Sequence, residues 1–411
     1  MTTRQICLDR DAADPLARVR ERFILPEGVI YLDGNSLGAL TMGARARVRE
    51  ATEQQWGRDL IASWNSHGWI DMPQQVGRKI ARLIGAQAGE VVAADSVSVN
   101  LFKLAAAAVR AQGPKRCAVV IERGDFPTDL YILQGLAEAM PEVELRVVEP
   151  GGFEAALDDG TALVLLSHVH YRTGAVRDMA AQSARVRAAG AMSLWDLSHS
   201  GGVLDVGLNR DGADLAAGCG YKYLNGGPGA PAYVFVAERH QAMLRNPLSG
   251  WFGHARPFDF VDDYEPAPGI DRWLCGTPPV LSLSALDAAL DAFEGVEMAE
   301  VRAKAGALGD LFIDRVETRC AAHGLTLVGP RDWRVRGGQV SFAHPQGWAV
   351  MQNLIARGVI GDFRRPDVIR FGFAPLYVRH VDVWDAVEVL GDILDSESWR
   401  DARFQTVSTV T

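Results

Sequence analysis

A lysine lies in a short polar turn between two apolar runs, in the stretch GCGYKYLNGGPG, where Tyr221 and Tyr223 flank Lys222. Lysine is rarely buried without a partner, so this residue is either a loop lysine exposed to water or an amine with a chemical role. A lysine amine can form a Schiff base with an aldehyde cofactor such as pyridoxal phosphate. The stretch alone favours neither interpretation.

Pyridoxal phosphate needs three further kinds of group around it. An acid must keep the ring nitrogen protonated, a side chain must stack on the ring, and hydroxyls or a helix N-terminus must hold the phosphate. The sequence offers Asp196 for the nitrogen, Phe126 or His199 for the ring, and Ser98 for the phosphate. Each also has a structural interpretation, as a turn cap, a core side chain or a helix cap, so only their convergence favours a cofactor site.

Apolar runs that alternate with amphipathic stretches must position these residues. Helices are predicted near 96–113, 128–140 and 178–189, and strands at 90–95, 117–122, 143–149, 162–169, 191–196, 213–218 and 230–236. Such alternation is typical of an α/β fold with a mainly parallel sheet covered on both faces. Ligands of these sheets bind beyond the carboxyl ends of the strands, and every candidate residue follows a predicted strand closely.

The chain has 411 residues, which is too long for one compact core, so two domains are expected. After residue 285 the pattern changes to helices at 283–296, 298–322, 346–357 and 381–396 with short strands near 325–328 and 338–343. We therefore predict a large cofactor-binding domain at 71–284 and a smaller α+β domain at 285–411. The N-terminal segment, 1–70, is predicted to pack near the small domain and the active site.

The composition excludes several classes of partner. The formal charge is 42 − 51 = −9, so a basic nucleic-acid surface is not expected. No apolar run approaches the length of a membrane span, and the first residues are too polar for a signal peptide. Five scattered cysteines without metal-type spacing indicate reduced thiols in the cytoplasm and no metal site.

The chain resembles the kynureninase family from end to end. The matching motifs are YLDGNSLG (31–38), NLFK (100–103), FPTDLY (126–131), WDLSHSGG (195–202), YKYLNGGPG (221–229), LSGWFGH (248–254), CGTPP (275–279) and IRFGFAPLY (369–377). The resemblance implies the aminotransferase-like fold, also called PLP fold type I, and a homodimer with shared active sites. It also implies pyridoxal-phosphate-dependent cleavage of the Cβ–Cγ bond of L-kynurenine, giving anthranilate and L-alanine in tryptophan degradation.

The resemblance further implies a role for each matching residue. Lys222 matches the Schiff-base lysine, Asp196 the partner of the pyridinium, and Tyr221 a tyrosine that reaches the phosphate and assists proton transfer. The other implied cofactor contacts are Val97 (through its backbone), Ser98, Phe126, Thr128, Asp129, Ser167 and His199, with Trp251 and Thr277 supplied by the partner subunit. The implied substrate contacts are Arg370 for the α-carboxylate and Trp64, Gly276 and Thr277 around the aromatic ring.

Two other classes of protein stay open at this point. One is a related lyase such as a cysteine desulfurase, which needs a mobile nucleophilic cysteine; Cys275 is near the expected site but lies in no convincing catalytic loop. The other is a non-catalytic protein that keeps the fold, which the presence of Lys222 disfavours. A dinucleotide-binding interpretation of GGPGAP is weak because no GxGxxG opens a helix after the first strand.

Overall fold

The computed structural model describes residues 2–406. Its α-helices are α1 (Arg4–Ala12), α2 (Met42–Glu50), α3 (Ser63–Ser66), α4 (Met72–Leu83), α5 (Val97–Gln112), α6 (Pro127–Ala139), α7 (Met179–Ala188), α8 (Glu238–Gln241), α9 (Val280–Leu290), α10 (Met298–Arg319), α11 (Gly347–Ala356) and α12 (His380–Asp395). Its strands are β1 (Ile30–Tyr31), β2 (Val91–Ala93), β3 (Ala118–Glu122), β4 (Glu144–Val148), β5 (Thr161–Ser167), β6 (Met192–Asp196), β7 (Leu215–Cys219), β8 (Ala232–Val236), β9 (Thr326–Val328), β10 (Gln339–Ala343), β11 (Val359–Ile360), β12 (Asp362–Arg364) and β13 (Val368–Gly372).

A seven-stranded sheet forms the centre of the molecule, in the order β2-β8-β7-β6-β5-β3-β4. Every strand runs in one direction except β8, which is antiparallel to both of its neighbours. The parallel strands therefore end at a common edge of the sheet, where the side chains that follow them can meet.

The central strands of this sheet are mainly apolar because both faces of the sheet are covered. Every residue of β3, β5, β6, β7 and β8 is buried, so the sequence shows continuous apolar runs instead of an alternating pattern. Helix α5 packs on one face through its run of alanines, and these small side chains allow the helix to approach the strands closely. The predicted strands and helices of this region are confirmed, with boundaries that shift by one or two residues.

A second, antiparallel sheet has the order β12-β13-β10-β9, and long helices α10 and α12 pack together beside it. The N-terminal segment joins this region through β1, which pairs in parallel with β11. Its continuation reaches the centre of the molecule, where the Gly38 amide donates to the Tyr221 carbonyl at 2.8 Å. Residues 31–38 therefore connect the second sheet with the loop that carries Lys222.

The N-terminal helix is also fixed to the C-terminal region. The two carboxylate oxygens of Asp11 accept the amides of His380 and Val381 at the start of α12, at 2.7 and 2.9 Å. The predicted domain boundaries at 70 and 284 stay predictions, and the second one falls inside α9. Residue 1 and residues 407–411 of the predicted terminal segments lie outside the described part of the chain. Among residues 2–406, no helix is both long and apolar enough to cross a membrane.

Candidate active site

Polar side chains gather at the carboxyl edge of the large sheet. Asp196 ends β6, Ser167 ends β5, and Lys222 follows β7. Together they line a cavity of about 260 Å³, here called the strand-end cavity. The other residues assigned to the cofactor within one subunit line it too, namely Val97, Ser98, Phe126, Thr128, Asp129, His199 and Tyr221. The fold thus brings together residues that are far apart in the sequence.

The loop after Lys222 turns back sharply on itself. Asn225 and Gly227 both have positive φ angles, 60° and 82°, which asparagine and glycine tolerate better than other residues. The Asn225 amide donates to the Lys222 carbonyl at 2.9 Å and closes the turn. The turn leaves the Lys222 amine in the cavity, with Nζ 5.9 Å from the centre of the Phe126 ring.

Asp196 has one free oxygen in this cavity. The Ser198 amide and hydroxyl both donate to Oδ1, at 2.9 and 2.6 Å. No group of residues 2–406 donates to Oδ2, so this oxygen is available to a ligand. Burial raises the pKa of Asp196, while the hydrogen bonds from Ser198 and the charge of Lys222 oppose that rise. A cationic ring N–H placed here would stabilise the ionised carboxylate.

A second carboxylate, Asp129, lies close to the first. Burial, together with the negative charges of Asp196 and Asp125, raises the pKa of Asp129 well above its usual value. The Ser167 hydroxyl donates to Asp129 Oδ2 at 3.4 Å. Burial and the neighbouring carboxylates therefore favour the protonated form of Asp129, because two ionised carboxylates so close together would repel each other.

His199 contacts the amine of Lys222 directly. Its Nε2 lies 3.0 Å from Lys222 Nζ, and its Nδ1 lies 3.0 Å from Gln339 Oε1. Burial and the charge of Lys222 lower the pKa of His199 well below its usual value, so the imidazole is neutral. The lysine amine is thus held by a neutral acceptor rather than by a carboxylate.

The first turn of α5 also lines the cavity. Ser96 caps the helix by accepting the Val99 amide at 3.3 Å, and Ser96, Val97 and Ser98 all line the cavity. The first amides of a helix have no partners within the helix, and the helix dipole favours an anion at this end. Helix amides and the Ser98 hydroxyl fit a phosphate group, and Val97 can contribute only its backbone.

Tyr221 also lines this cavity and presents a phenol group to it. Burial, followed by the nearby Cys219 and Asp196, raises the pKa of Tyr221, so the side chain stays protonated at neutral pH. The cavity therefore contains a helix N-terminus, an amine, a free carboxylate oxygen and an exposed aromatic face on Phe126. These are the four kinds of group that pyridoxal phosphate needs, so the residues present fit this cofactor.

Arg370 does not line the cavity. It belongs to a group of four charged side chains and one serine that we call the arginine cluster: Arg370, Arg364, Asp362, Asp33 and Ser36. Arg370 Nε donates to Asp362 Oδ1 at 2.8 Å, and its Nη2 donates to Oδ2 of the same carboxylate. Its Nη1 donates to the Tyr171 carbonyl. Nη2 also donates to Ser36 Oγ at 3.1 Å. The side chain is 1% exposed, so its predicted contact with a substrate carboxylate would depend on the one Nη1 hydrogen that remains.

Arg364 and Asp33 complete the charge balance of the arginine cluster. Arg364 Nη2 donates to Asp362 Oδ2 at 2.7 Å, so one carboxylate serves two arginines. Burial opposes ionisation of Asp362, but Arg370 and Arg364 overcome it and lower the pKa of this carboxyl. Burial and the charge of Asp362 raise the pKa of Asp33 to about 7. The cluster is therefore positive overall around neutral pH.

The remaining predicted residues lie elsewhere. Trp64 and Trp251 line a surface groove together with Ile61, Ile70 and Phe258, and they do not line the strand-end cavity. Gly276 and Thr277 are exposed. Because Trp251 and Thr277 are predicted to act in the partner's site, a position outside the cavity of their own subunit is the expected one.

Several residues of the site were missed by the sequence analysis. Tyr171 lines the cavity, and its ring packs edge-on against Phe126 with centroids 5.5 Å apart. Ser198 holds Asp196, and its position two residues after the acid was a usable signal, since such local side-chain-to-backbone bonds are common. Gln339 and Asp362 could not be found this way, because they come from a different sheet and from no recognisable motif.

Known proteins resemble this chain in sequence over its whole length. Kynureninases from Burkholderia pseudomallei (strain K96243) and Pseudomonas fluorescens are 53% and 52% identical to it, with 100% of each chain covered. The profile of the kynureninase C-terminal domain matches residues 301–390, which contain all four strands of the second sheet.

Solved structures resemble the chain in fold. The ligand-free cysteine desulfurase from Thermococcus onnurineus NA1 has a TM-score of 0.77 and 19% identity, covering 92% of this chain and 98% of the other. A mutant of C-DES with glycine linked covalently to its PLP cofactor gives 0.77 and 18%, covering 91% and 99%. These structures confirm the predicted α/β fold of PLP fold type I, and the sequence relatives decide the family. The chain belongs to the kynureninase family.

Proposed function

We propose that this protein hydrolyses L-kynurenine to anthranilate and L-alanine with pyridoxal phosphate as cofactor. One observation carries the proposal: full-length identity of 53% to kynureninases coincides with a cavity whose donor set fits the cofactor. The identity extends over 100% of both chains, so both the cofactor cavity and the arginine cluster lie within the shared region. The reaction belongs to tryptophan catabolism, and it can also supply precursors for NAD.

Bound pyridoxal phosphate supplies an aldehyde that captures the substrate amine and a ring that withdraws electrons from the α-carbon. Lys222 would hold the cofactor, and its amine lies in the cavity where it could accept the proton of the substrate α-carbon. Asp196 Oδ2 would keep the ring nitrogen protonated. The amides of the first turn of α5 would hold the phosphate.

Two neutral donors and acceptors surround the Lys222 amine. Tyr221 is protonated and can deliver a proton during carbon–carbon cleavage, whereas neutral His199 accepts a hydrogen bond from the amine. The arginine cluster supplies the positive charge that attracts the substrate carboxylate, with Arg370 as the residue proposed to bind it. In this proposal, residues that follow strands of the large sheet carry out proton transfer, and Arg370 of the second sheet binds the substrate.

The substrate preference is proposed from Trp64, Gly276 and Thr277. Gly276 has no side chain and Thr277 has one short hydroxyl, so a 3-hydroxyl group on the substrate ring would be buried with few partners. That costs roughly 1–3 kcal/mol, or about 5- to 150-fold in kcat/KM. We expect a higher kcat/KM for L-kynurenine than for 3-hydroxy-L-kynurenine, and Trp64→His with Gly276→Ser and Thr277→Asn should narrow the difference. A wild-type preference for the hydroxylated substrate would contradict this assignment.

A homodimer is part of the proposal. Ile61 and Phe260 are 79% and 78% exposed, and Trp56, Leu60 and Phe258 are more than half exposed. Exposed apolar side chains in such number are typical of an interface, and a second copy of the chain would place Trp251 and Thr277 in its partner's site. Light scattering should show a dimer or a larger even-numbered assembly at assay concentration, and a fully active monomer would refute it.

The cysteines support a reducing compartment and disfavour the desulfurase alternative. All five carry free thiols, so we propose a cytoplasmic location. Cys219 is the thiol that lines the cavity, but burial raises its pKa, whereas a nucleophilic cysteine needs a lowered one.

A fluorescence assay for anthranilate tests the function directly. Purified protein with pyridoxal phosphate should release anthranilate from L-kynurenine, together with alanine in equal amount. The same preparation should release no sulfide from L-cysteine. Sulfide release without anthranilate would overturn the proposal in favour of the desulfurase alternative, and neither product would overturn it in favour of a non-catalytic protein.

A further inference from the structure

The second sheet is linked to the Lys222 amine indirectly, through the buried side chain of Gln339 and the ring of His199. Gln339 is 1% exposed and begins β10. Its amide uses both ends: Nε2 donates to the Tyr171 carbonyl at 2.7 Å, and Oε1 lies 3.0 Å from His199 Nδ1. His199 Nε2 in turn lies 3.0 Å from Lys222 Nζ. A continuous chain of hydrogen bonds therefore runs from a backbone carbonyl to the lysine amine.

The direction of each bond in this chain follows from chemistry. The Tyr171 carbonyl can only accept, so it must face the NH₂ group of Gln339, and this leaves Oε1 facing the histidine. Oε1 can also only accept, so His199 Nδ1 must carry the hydrogen. A neutral imidazole has one N–H and one lone pair, so Nε2 presents its lone pair to Lys222.

We propose that Gln339 is a positioning residue that holds His199 in its Nδ1–H tautomer, so that Nε2 accepts a hydrogen bond from the Lys222 amine. The relevance to turnover rests on the proposed function, because that function gives Lys222 its role. The tautomer itself does not depend on it and can be measured separately.

Gln339 is a neutral acceptor, and this matters because the charged groups near His199 are positive. The charges of Lys222, Arg370 and Arg364 oppose protonation of the imidazole, while the hydrogen bond that His199 Nδ1 donates to Gln339 Oε1 favours it. A carboxylate in place of the amide would stabilise the imidazolium and remove the lone pair from Nε2. The amide therefore fixes the orientation of the ring without adding the charge that would protonate it.

The Tyr171 carbonyl extends the chain to the substrate-binding side. It accepts from Gln339 Nε2 and also from Arg370 Nη1. One backbone oxygen thus fixes both the arginine proposed for the substrate carboxylate and the amide that orients His199. Removing the Gln339 amide takes away one of the two donors to this oxygen, and it leaves His199 Nδ1 without its acceptor.

Histidine-selective ¹⁵N NMR on the full-length chain, with and without pyridoxal phosphate, measures the tautomer. His199→Gln identifies the signal. We expect the Nδ1–H form in the wild type and loss of that form, by mixing with Nε2–H, in Gln339→Leu. In Gln339→Glu the signal should shift toward the imidazolium at neutral pH.

Ser341→Ala is the matched control. Ser341 lies two residues along β10 and donates to the Arg172 carbonyl at 2.7 Å, so it links the strand to the same loop without touching His199. This variant should keep the wild-type histidine signal and activity. Gln339→Leu should lower kcat/KM about tenfold, the equivalent of one hydrogen bond of about 1.4 kcal/mol, and should shift the pH profile.

Three results would overturn the proposal. They are an Nε2–H tautomer in the wild type, an unchanged His199 signal in Gln339→Leu, and the same signal change in Ser341→Ala. Failure of the proposed function is distinguishable, since a protein without kynurenine hydrolysis would still give a definite tautomer in each variant.

Discussion

The strand-end cavity and the arginine cluster both contain charged groups, but only in the arginine cluster do these groups pair with each other. Within residues 2–406, Lys222 and Asp196 form no ion pair, and Asp196 keeps one oxygen free. In the arginine cluster, Asp362 serves Arg370 and Arg364 together. A buried charge without a partner is costly unless a ligand supplies one, so the groups of the cavity suit a ligand of complementary charge. The arginine cluster instead satisfies its own charges and offers only a small positive surplus.

The largest effect should come from Lys222→Ala, because no other group can replace the amine in the cavity. We expect turnover of L-kynurenine to be abolished while pyridoxal phosphate still binds through Asp196 and the start of α5. Anthranilate fluorescence and the visible absorbance of the bound cofactor measure the two properties. Lys115→Ala, on the surface, should behave like the wild type. Full activity in Lys222→Ala would remove the basis for treating the cavity as the active site.

Asp33→Asn tests whether Asp33 is partly protonated in the arginine cluster, through the pH dependence of the free energy of unfolding. The pKa of Asp33 in the folded protein is about 7, above the value of about 3.9 in an unfolded chain. The folded wild type therefore binds a proton more tightly than the unfolded chain, and its free energy of unfolding falls as the pH rises from about 4 to about 7. The variant avoids this loss, so it should match the wild type at low pH and exceed it above pH ~7 by on the order of 4 kcal/mol.

Urea denaturation at about pH 5 and about pH 8 measures the difference between Asp33→Asn and the wild type. Asp262→Asn, at an exposed position, should change the free energy of unfolding by the same small amount at both pH values. A difference that does not depend on pH would mean that Asp33 is ionised throughout, and the arginine cluster would then carry no surplus charge.

Asp196→Asn keeps the shape of the cavity but removes its negative charge. We expect kcat to fall at least ~100-fold, comparable to the loss of one strong electrostatic stabiliser. Ser198→Ala removes only the hydroxyl that donates to Oδ1 and should cost less than tenfold. Steady-state kinetics of the two variants decide the point, because similar losses in both would make Asp196 a structural turn residue.

Arg370→Lys should have the smallest effect of the four. Lysine keeps the charge but cannot donate in parallel to both Asp362 oxygens and also to the Tyr171 carbonyl. We expect about a tenfold fall in kcat/KM, mainly through KM, since substrate binding is weakened more than the chemistry. An unchanged KM would separate the arginine cluster from substrate binding and leave it a purely structural element.

The two regions also differ in how well the sequence predicts them. Lys222, Asp196 and Ser167 lie at or just after the ends of apolar strands. The alternation of strands and helices predicts a parallel sheet, so their meeting at one edge could be inferred from the sequence. The pairing of Arg370 with Asp362 depends on the register of β12 and β13, where these residues lie directly opposite each other. Gln339 reaches His199 across two sheets, and no local pattern encodes such a contact. The motif alignment found Arg370 but not the carboxylate that occupies most of its donors.

The path of residues 31–38 has a consequence for how the chain folds. Leu32 donates its amide to Ile360 at 2.7 Å and accepts the Gly372 amide at 2.7 Å, while Gly38 reaches the Tyr221 carbonyl. A Cβ on Gly38 would lie 2.3 Å from the Lys222 carbonyl oxygen, so this early segment packs directly against the loop that carries Lys222. During synthesis the segment leaves the ribosome long before residues 360–372 exist, and contacts between such distant residues form late. A nascent chain that stops before residue 372 therefore lacks the partners that hold Leu32 in place, and the packing of residues 31–38 against the Lys222 loop belongs to a late stage of folding.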